Sequence, residues 1–441
     1  MTEVPANDQE PRVASVAGLR EKLAIDPGAV RAVGWSFAYF FSVLCSYYII
    51  RPLRDEMGVT VGVDGLERLF FIVFGVMLAA VPLFGWLVST FPKKHVAPVV
   101  YLFFIANLVV FWLVLSTWKS STLVASMFFV WVSVFNLFVV SLFWIVMADL
   151  WSTADAKRYY GMIAAGGSAG AFCGPLITQS IVHKLGPANL LLVSALFLGV
   201  AVGCVFALRR ELGHAHQADH DKPAGDGILA GAERVFKSPY LFQIAMWILV
   251  ANLISTFFYF EQARIIGAAL PERADRVQLF ARMDLTVSVL TILAQVFVTA
   301  AVMRALPVGW CVAALPVSAA LGLLALAVAP SLWVIVGVIV VERAIGFAIS
   351  NPAARVLYTV VEPEDKYKAQ NFIDTVVFRG GDAASGWLFN SVAKAAGLAT
   401  PAVAMLTVPF ALLWVWLSLR LGNAQEEQAA TQHMAKAKGQ A

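Results

Sequence analysis

Asp155-Ala-Lys-Arg-Tyr-Tyr-Gly-Met-Ile163 follows an apolar run in the first half of the chain, and Asp365-Lys-Tyr-Lys-Ala-Gln-Asn-Phe-Ile373 stands at the matching place in the second. Both start on Asp, pass through basic and Tyr positions, and return to apolar residues. Each then leads into a glycine pair, Gly166-Gly167 and Gly380-Gly381, with the second spacing longer by four residues. Around these segments apolar runs recur at 33–50, 69–91, 96–117, 122–147, 160–182 and 188–208. After a polar stretch they resume at 239–261, 282–305, 308–328, 331–351, 372–393 and 401–420. Long apolar runs are the firmest structural signal a sequence carries. Six runs, a long loop and six more therefore read as one plan used twice.

Composition agrees. Of 441 residues, 60% are hydrophobic and 14% charged, against roughly 25% charged in soluble domains. A soluble globule of this make-up could not cover its surface, so soluble enzymes are excluded. The expected fold is an all-α membrane protein of twelve transmembrane helices in two six-helix pseudo-symmetric bundles. Its parts would be a cytoplasmic tail (1–32), a first bundle (33–208), a cytoplasmic linker (209–238), a second bundle (239–421) and a C-terminal tail (422–441).

Parallel six-helix repeats about an axis along the membrane normal resemble the plan of the major facilitator superfamily. The segment Gly85-Trp-Leu87-Val-Ser-Thr-Phe91-Pro-Lys93-Lys94 is similar to that superfamily's loop motif, with Ser89 in place of its acidic residue. Lys and Arg are twice as frequent on the side of the termini, which points to both termini in the cytoplasm. The opening residues hold acidic groups and no apolar core, unlike a signal or transit peptide. The expected location is a bacterial inner membrane, with lipid as the surrounding partner. A net charge of +4 gives no reason to expect nucleic acid. Cys45, Cys173, Cys204 and Cys311 fall inside apolar runs and read as small hydrophobes. No nucleophile, cofactor or metal motif occurs; His214, His216 and His220 lie in the polar linker. The expectation is no enzyme, no cofactor and no metal.

Charge within a bilayer costs about 2.5–3.5 kcal/mol per residue on insertion scales, so each case is a functional candidate. Span ten holds Glu342 and Arg343, which point about 100° apart; at most one should face squarely into a central cavity. Span eleven holds Arg379 and Asp382 on one face. These four either neutralise one another between helices or bind an anion and exchange partners. At the end of span one lies Tyr47-Tyr48-Ile-Ile-Arg51-Pro52-Leu53-Arg54-Asp55-Glu56. Pro52 should halt or kink the helix, leaving Arg51 and Arg54 near its end as interfacial anchors or as a clamp for phosphate or carboxylate. Tyr47 could stack on a ring. Glu261 ends span seven as a gate or a helix-end charge, and Asp284 opens span eight. Gly166, Gly170 and Gly174, four apart, read as close helix packing.

Ile50-Arg-Pro-Leu-Arg54-Asp, Phe143-Trp144 with Ala156-Lys157-Arg158-Tyr-Tyr, and Lys368-Ala-Gln-Asn-Phe-Ile-Asp374 with Gly380-Gly381 together resemble the ATP/ADP translocase family. The resemblance implies a major-facilitator-like fold and an anionic, nucleotide-like solute. The family's span-one lysine falls on Arg54. Its span-seven glutamate falls on Glu261, with Asp284 keeping the spacing to the next acidic residue. Its span-four glutamate falls on Val132, with Asn136 one turn on. Its late lysine falls on Asp382, a reversal of sign, with Arg379 one turn before. Two of four positions thus depart from the family pattern, and a nucleoside triphosphate should not be held in the same pose.

The expected function is secondary transport of a small organic anion by alternating access, with a nucleotide or phosphorylated metabolite first in line. Arg51, Arg54, Tyr47, Asn136, Arg343 and Arg379 would bind solute; Glu261, Asp284, Glu342 and Asp382 would couple or gate. The chain should act as a monomer. The rivals are a proton-coupled carrier of a peptide-like, lipid or drug-like solute, and a receptor that has lost transport.

Overall fold

The computed structural model describes residues 29–118, 121–212, 228–396 and 399–439. The three linker histidines lie outside them. The first bundle is α1 (Val30–Val61), α2 (Val63–Thr90), α3 (Lys93–Thr117), α4 (Thr122–Leu150), α5 (Thr153–Leu185) and α6 (Leu190–Leu212). A short helix, α7 (Ile228–Lys237), precedes the second bundle: α8 (Pro239–Ala269), α9 (Arg273–Ala305), α10 (Val308–Val328), α11 (Leu332–Val360), α12 (363–396) and α13 (Thr400–Gly439). Among the described residues, eleven helices are long and apolar enough to cross a membrane. The remaining one, α12, is helical across the expected eleventh span but is diluted by Arg379, Gly380, Gly381 and Asp382.

Helix starts follow local chemistry. The hydroxyls of Ser121, Ser152 and Ser238 accept from the backbone N–H three residues on, satisfying donors that have no partner inside the helix. Gly62 at φ 80° is the whole connection between α1 and α2, a conformation that side chains resist. The two quoted segments begin α5 and α12. Asp155 in the first pairs with the cap Ser152; Asp365 in the second holds Arg234 of α7 at 2.7 Å.

One buried core is built from α1 to α6 and another from α7 to α13. In the first, α1 is the central staff, packed on α4, α5 and α6. The glycine row of α5 permits this. A Cβ on Gly166 or Gly170 would overlap the backbone oxygens of Phe37 and Phe41, and one on Gly174 would stand 2.7 Å from the Cβ of Tyr48. Close packing of small residues replaces the hydrophobic drive that lipid does not supply. Gly381 plays the matching part in the second bundle, lying against Asn252 of α8, whose amide donates to the Phe378 carbonyl at 2.7 Å. The longer spacing to this second pair is taken up by a wide π turn, Ile373–Val377. Four residues exceed the 3.6 of one α turn, and a π turn absorbs the excess. Gly170→Ala should lower the melting temperature of the purified protein by several degrees, since overpacking against backbone costs about 1–3 kcal/mol. An unchanged melting temperature would show that α1 and α5 can separate freely.

Pro52 does not end α1. The helix runs on to Val61, and Pro52 is buried within it. Packed neighbours tolerate the lost N–H of a membrane proline, and Arg51 and Arg54 therefore sit well inside α1 and not at its end. At the other end of the chain, α13 runs past the membrane span and is tied down there. Gln425 reaches the Thr359 hydroxyl (3.4 Å), Glu426 accepts from Val308 N–H (3.1 Å), and Gln432 donates to the Val360 carbonyl (2.9 Å).

Candidate functional site

A cavity of about 500 Å³ lies between the bundles. From the first bundle, α1 supplies Arg51, Arg54 and Asp55. From the second, α11 supplies Glu342 and Arg343, and α12 supplies Arg379 and Asp382. Aromatic walls come from Phe70, Phe258, Tyr259, Phe280, Phe347 and Phe378. Four arginines face four carboxylates once Asp284, bound to two of the arginines, is included.

The pairing differs from the expected exchange between spans ten and eleven. Arg343 turns away from α12 and meets Asp284 Oδ1 at 2.7 Å, where Arg51 also points at 3.5 Å. Arg379 and Asp382 pair loosely on one face at 3.9 Å. Glu342 is 8% exposed and has no ion-pair partner among the described residues. Both Glu342 and Arg343 line the cavity. Their 100° divergence is bridged because the long arginine reaches sideways to α9. Arg54 contacts its neighbour Asp55 at 3.3 Å and lies 4.0 Å over the Phe129 ring. Its Nε is buried without a hydrogen-bond partner among the described residues.

Several expected residues fall elsewhere. Glu261 is fully buried between α8 and α13, accepting from Arg264 at 2.7 Å and from the Thr400 hydroxyl at 2.8 Å, away from the cavity. Tyr47 packs edge-on to Tyr48, and neither Tyr47 nor Asn136 lines the cavity. Val132 is buried in the first core. Cys45, Cys204 and Cys311 are buried free thiols and Cys173 is half-buried. Among the described residues no group of three His, Cys, Asp or Glu could hold a metal.

The sequence reading passed over a second cluster. Glu56 on α1 is fully buried and crosses the bundle boundary. Arg273 donates to Oε2 at 3.0 Å, Arg276 to Oε1 at 2.7 Å, and Thr60 adds its hydroxyl at 2.6 Å. Arg276 is itself fixed by the carbonyls of Leu270 and Pro271. Nearby, Tyr259 donates to Asp55 at 3.2 Å, Gln278 donates to the Gln179 carbonyl at 3.1 Å, and Asp275 meets His183 at 3.5 Å. These bonds lie toward the membrane face where α1 ends and α9 begins. Phe347 and Phe378, both cavity residues, are 42% and 41% exposed. The cross-bundle bonds close the cavity toward the end where α1 stops.

Such a site, shared by two bundles and closed at one end, can bind a solute and release it on the other side once the seal exchanges ends. Solved structures share the architecture. An auto-inhibited POT family peptide transporter superposes with a TM-score of 0.63 at 13% identity, over 89% of this chain and 96% of that one. The nucleoside transporter NupG gives 0.53 at 14%, over 91% and 99%. The human organic anion transporter MFSD10 gives 0.53 at 14%, over 89% and 100%. No curated protein matches in sequence. The sequence profile of the Major Facilitator Superfamily matches residues 32–386, most of the chain including α1, α9, α11 and the cavity part of α12, and the protein belongs to that superfamily.

Proposed function

We propose that this transporter carries a small organic anion by alternating access, with a nucleotide or another phosphorylated metabolite as the solute to try first. The observation that carries the reading is the convergence of Arg51, Arg54, Arg343 and Arg379 from both bundles on one cavity. Two of them, Arg54 and Arg379, are only loosely held by carboxylates. A phosphate or carboxylate offers the paired acceptors that guanidinium groups match, and the aromatic walls suit a flat ring. Arg51, Arg54, Arg343 and Arg379 bind the solute; Asp284, Glu342 and Asp382 exchange partners as it enters. The structural neighbours, transporters of peptides, nucleosides and organic anions, leave the choice to the cavity's own chemistry. The protein works as a monomer in a bacterial inner membrane with both termini cytoplasmic, so the closed end faces away from the cytoplasm. Counterflow in proteoliposomes loaded with AMP, sugar phosphates or dicarboxylates tests the reading. Exchange of at least one such anion is expected. Exchange of zwitterionic dipeptides with none of these anions would overturn it.

The balanced charge of the cavity favours a second reading, proton-coupled carriage of a zwitterionic, peptide-like solute. Glu342, buried and without an ion-pair partner among the described residues, is the group suited to take up a proton, because ionisable residues at this depth mark proton and ion pathways. Glu342→Gln should keep counterflow and lose accumulation driven by a pH gradient. Equal loss of both would make Glu342 a solute contact, and equal retention would leave coupling to another group.

A further inference from the structure

A side chamber of about 180 Å³ opens beside the central cavity among α1, α5, α9 and α11, and Arg343 and Phe347 line both spaces. Asp284 faces it and is 2% exposed. Both arginines that reach this carboxylate land on Oδ1, and Oδ2 is buried with no hydrogen-bond partner among the described residues. Thr291, two turns along α9, lines the same chamber and its hydroxyl is likewise buried without a partner. Between them Ser288 donates back to the Asp284 carbonyl at 2.9 Å, which leaves its oxygen lone pairs for the chamber. Buried polar atoms in native proteins are almost always bonded, so two unmet ones in one space call for a ligand that bonds them.

Asp284 Oδ2 wants a hydrogen-bond donor, and the Thr291 hydroxyl can donate or accept. A group that both donates and accepts fits better than a cation, because Arg51 and Arg343 already stand 3.5 and 2.7 Å from the same carboxylate and would repel an ammonium. Residues seven apart on a helix lie about 10 Å apart along its axis, so Asp284 and Thr291 would meet different hydroxyls of one chain or ring. The volume equals that of roughly six waters, room for a few CHOH units against the Phe347 ring.

We propose that the side chamber is a hydroxyl-binding subsite and that the transported solute is an anion with a polyol or sugar segment. The segment enters the chamber while the anionic group stays with the arginines of the central cavity; the assignment rests on the anion reading above. Thermal-shift titration of the full chain in detergent tests it with ribose 5-phosphate, ethyl phosphate, phosphoethanolamine and neutral ribose. Ribose 5-phosphate should bind at least tenfold more tightly than ethyl phosphate. Thr291→Val, which keeps the shape and removes the hydroxyl, should shrink that ratio to threefold or less. Equal affinity for the two phosphates, or a ratio untouched by Thr291→Val, overturns the subsite and leaves the anion reading standing. Preference for phosphoethanolamine over ribose 5-phosphate also overturns it, in favour of an ammonium site. Binding of neutral ribose that depends on Thr291, with no response to any phosphate, supports the subsite and removes the anion reading. No response to any of the four probes overturns both.

Discussion

Glu56→Ala should open the sealed end of the transporter while leaving each bundle folded. Removing one partner from a buried ionic cluster costs about 3–5 kcal/mol, because the remaining charges stay buried and unpaired. Here Arg273 and Arg276, held on the other bundle, lose their shared carboxylate. The bundles can relieve that cost by parting, which lets both guanidinium groups reach water. The penalty thus falls on the closed arrangement and shifts the conformational equilibrium by about two to nearly four orders of magnitude. The readout is a single cysteine at Gln262, a buried cavity residue near the seal, in a background lacking the four native cysteines. An impermeant maleimide added from the side where α1 ends should label it at least tenfold faster in Glu56→Ala, with Glu56→Gln in between. Unchanged labelling in a folded protein would show that the cluster does not keep this end shut.

Arg54→Gln should weaken solute binding by about 10- to 100-fold, the range expected for losing a hydrogen bond to a charged group, roughly 1.5–3 kcal/mol. Arg54, like Arg379, is only loosely held by its own protein: one contact at 3.3 Å to a neighbouring carboxylate, a ring beneath it and an Nε with no partner among the described residues. Arg54→Lys should recover part of the affinity, since it keeps the charge but not the planar paired donors. The concentration dependence of counterflow gives the numbers. An Arg54→Gln protein with wild-type affinity for every exchanged anion would remove Arg54 from the binding site.

The fold was legible because lipid demands it: each span must satisfy its own backbone bonds, and only long apolar helices do so. The quoted pair of segments then announced the repeat. Arg51, Arg54, Glu342, Arg343, Arg379 and Asp382 stood out because charge is expensive in such spans, and they do meet in one cavity. Glu56 did not stand out, for a local reason. Pro52 reads as a halt or a kink, so the residues after it looked like no more than the helix's end, and its partners Arg273 and Arg276 are more than 200 positions away, beyond the reach of any local pattern. Glu261 and Asn136 were misplaced because the face a helix turns inward depends on how it crosses its neighbours. The π turns at Gln295–Thr299, Gly346–Ser350 and Ile373–Val377 shift that face again, and none has a mark in the sequence. The partner of Arg343 depended on the same phasing.

The tied-down end of α13 has a practical consequence. A 33-residue helix, Thr400–Gln432, is about 50 Å long, well beyond the roughly 30 Å of a hydrocarbon core. Its protruding part is braced against the ends of α10 and α11 through Glu426, Gln425 and Gln432. A rigid helical fusion grafted in phase after Gln432 would ride on that brace and project as a fixed mast. Each electron-microscope image would then carry a visible pointer to the direction of the second bundle, and the rocking of one half against the other could be followed as a swing of the mast.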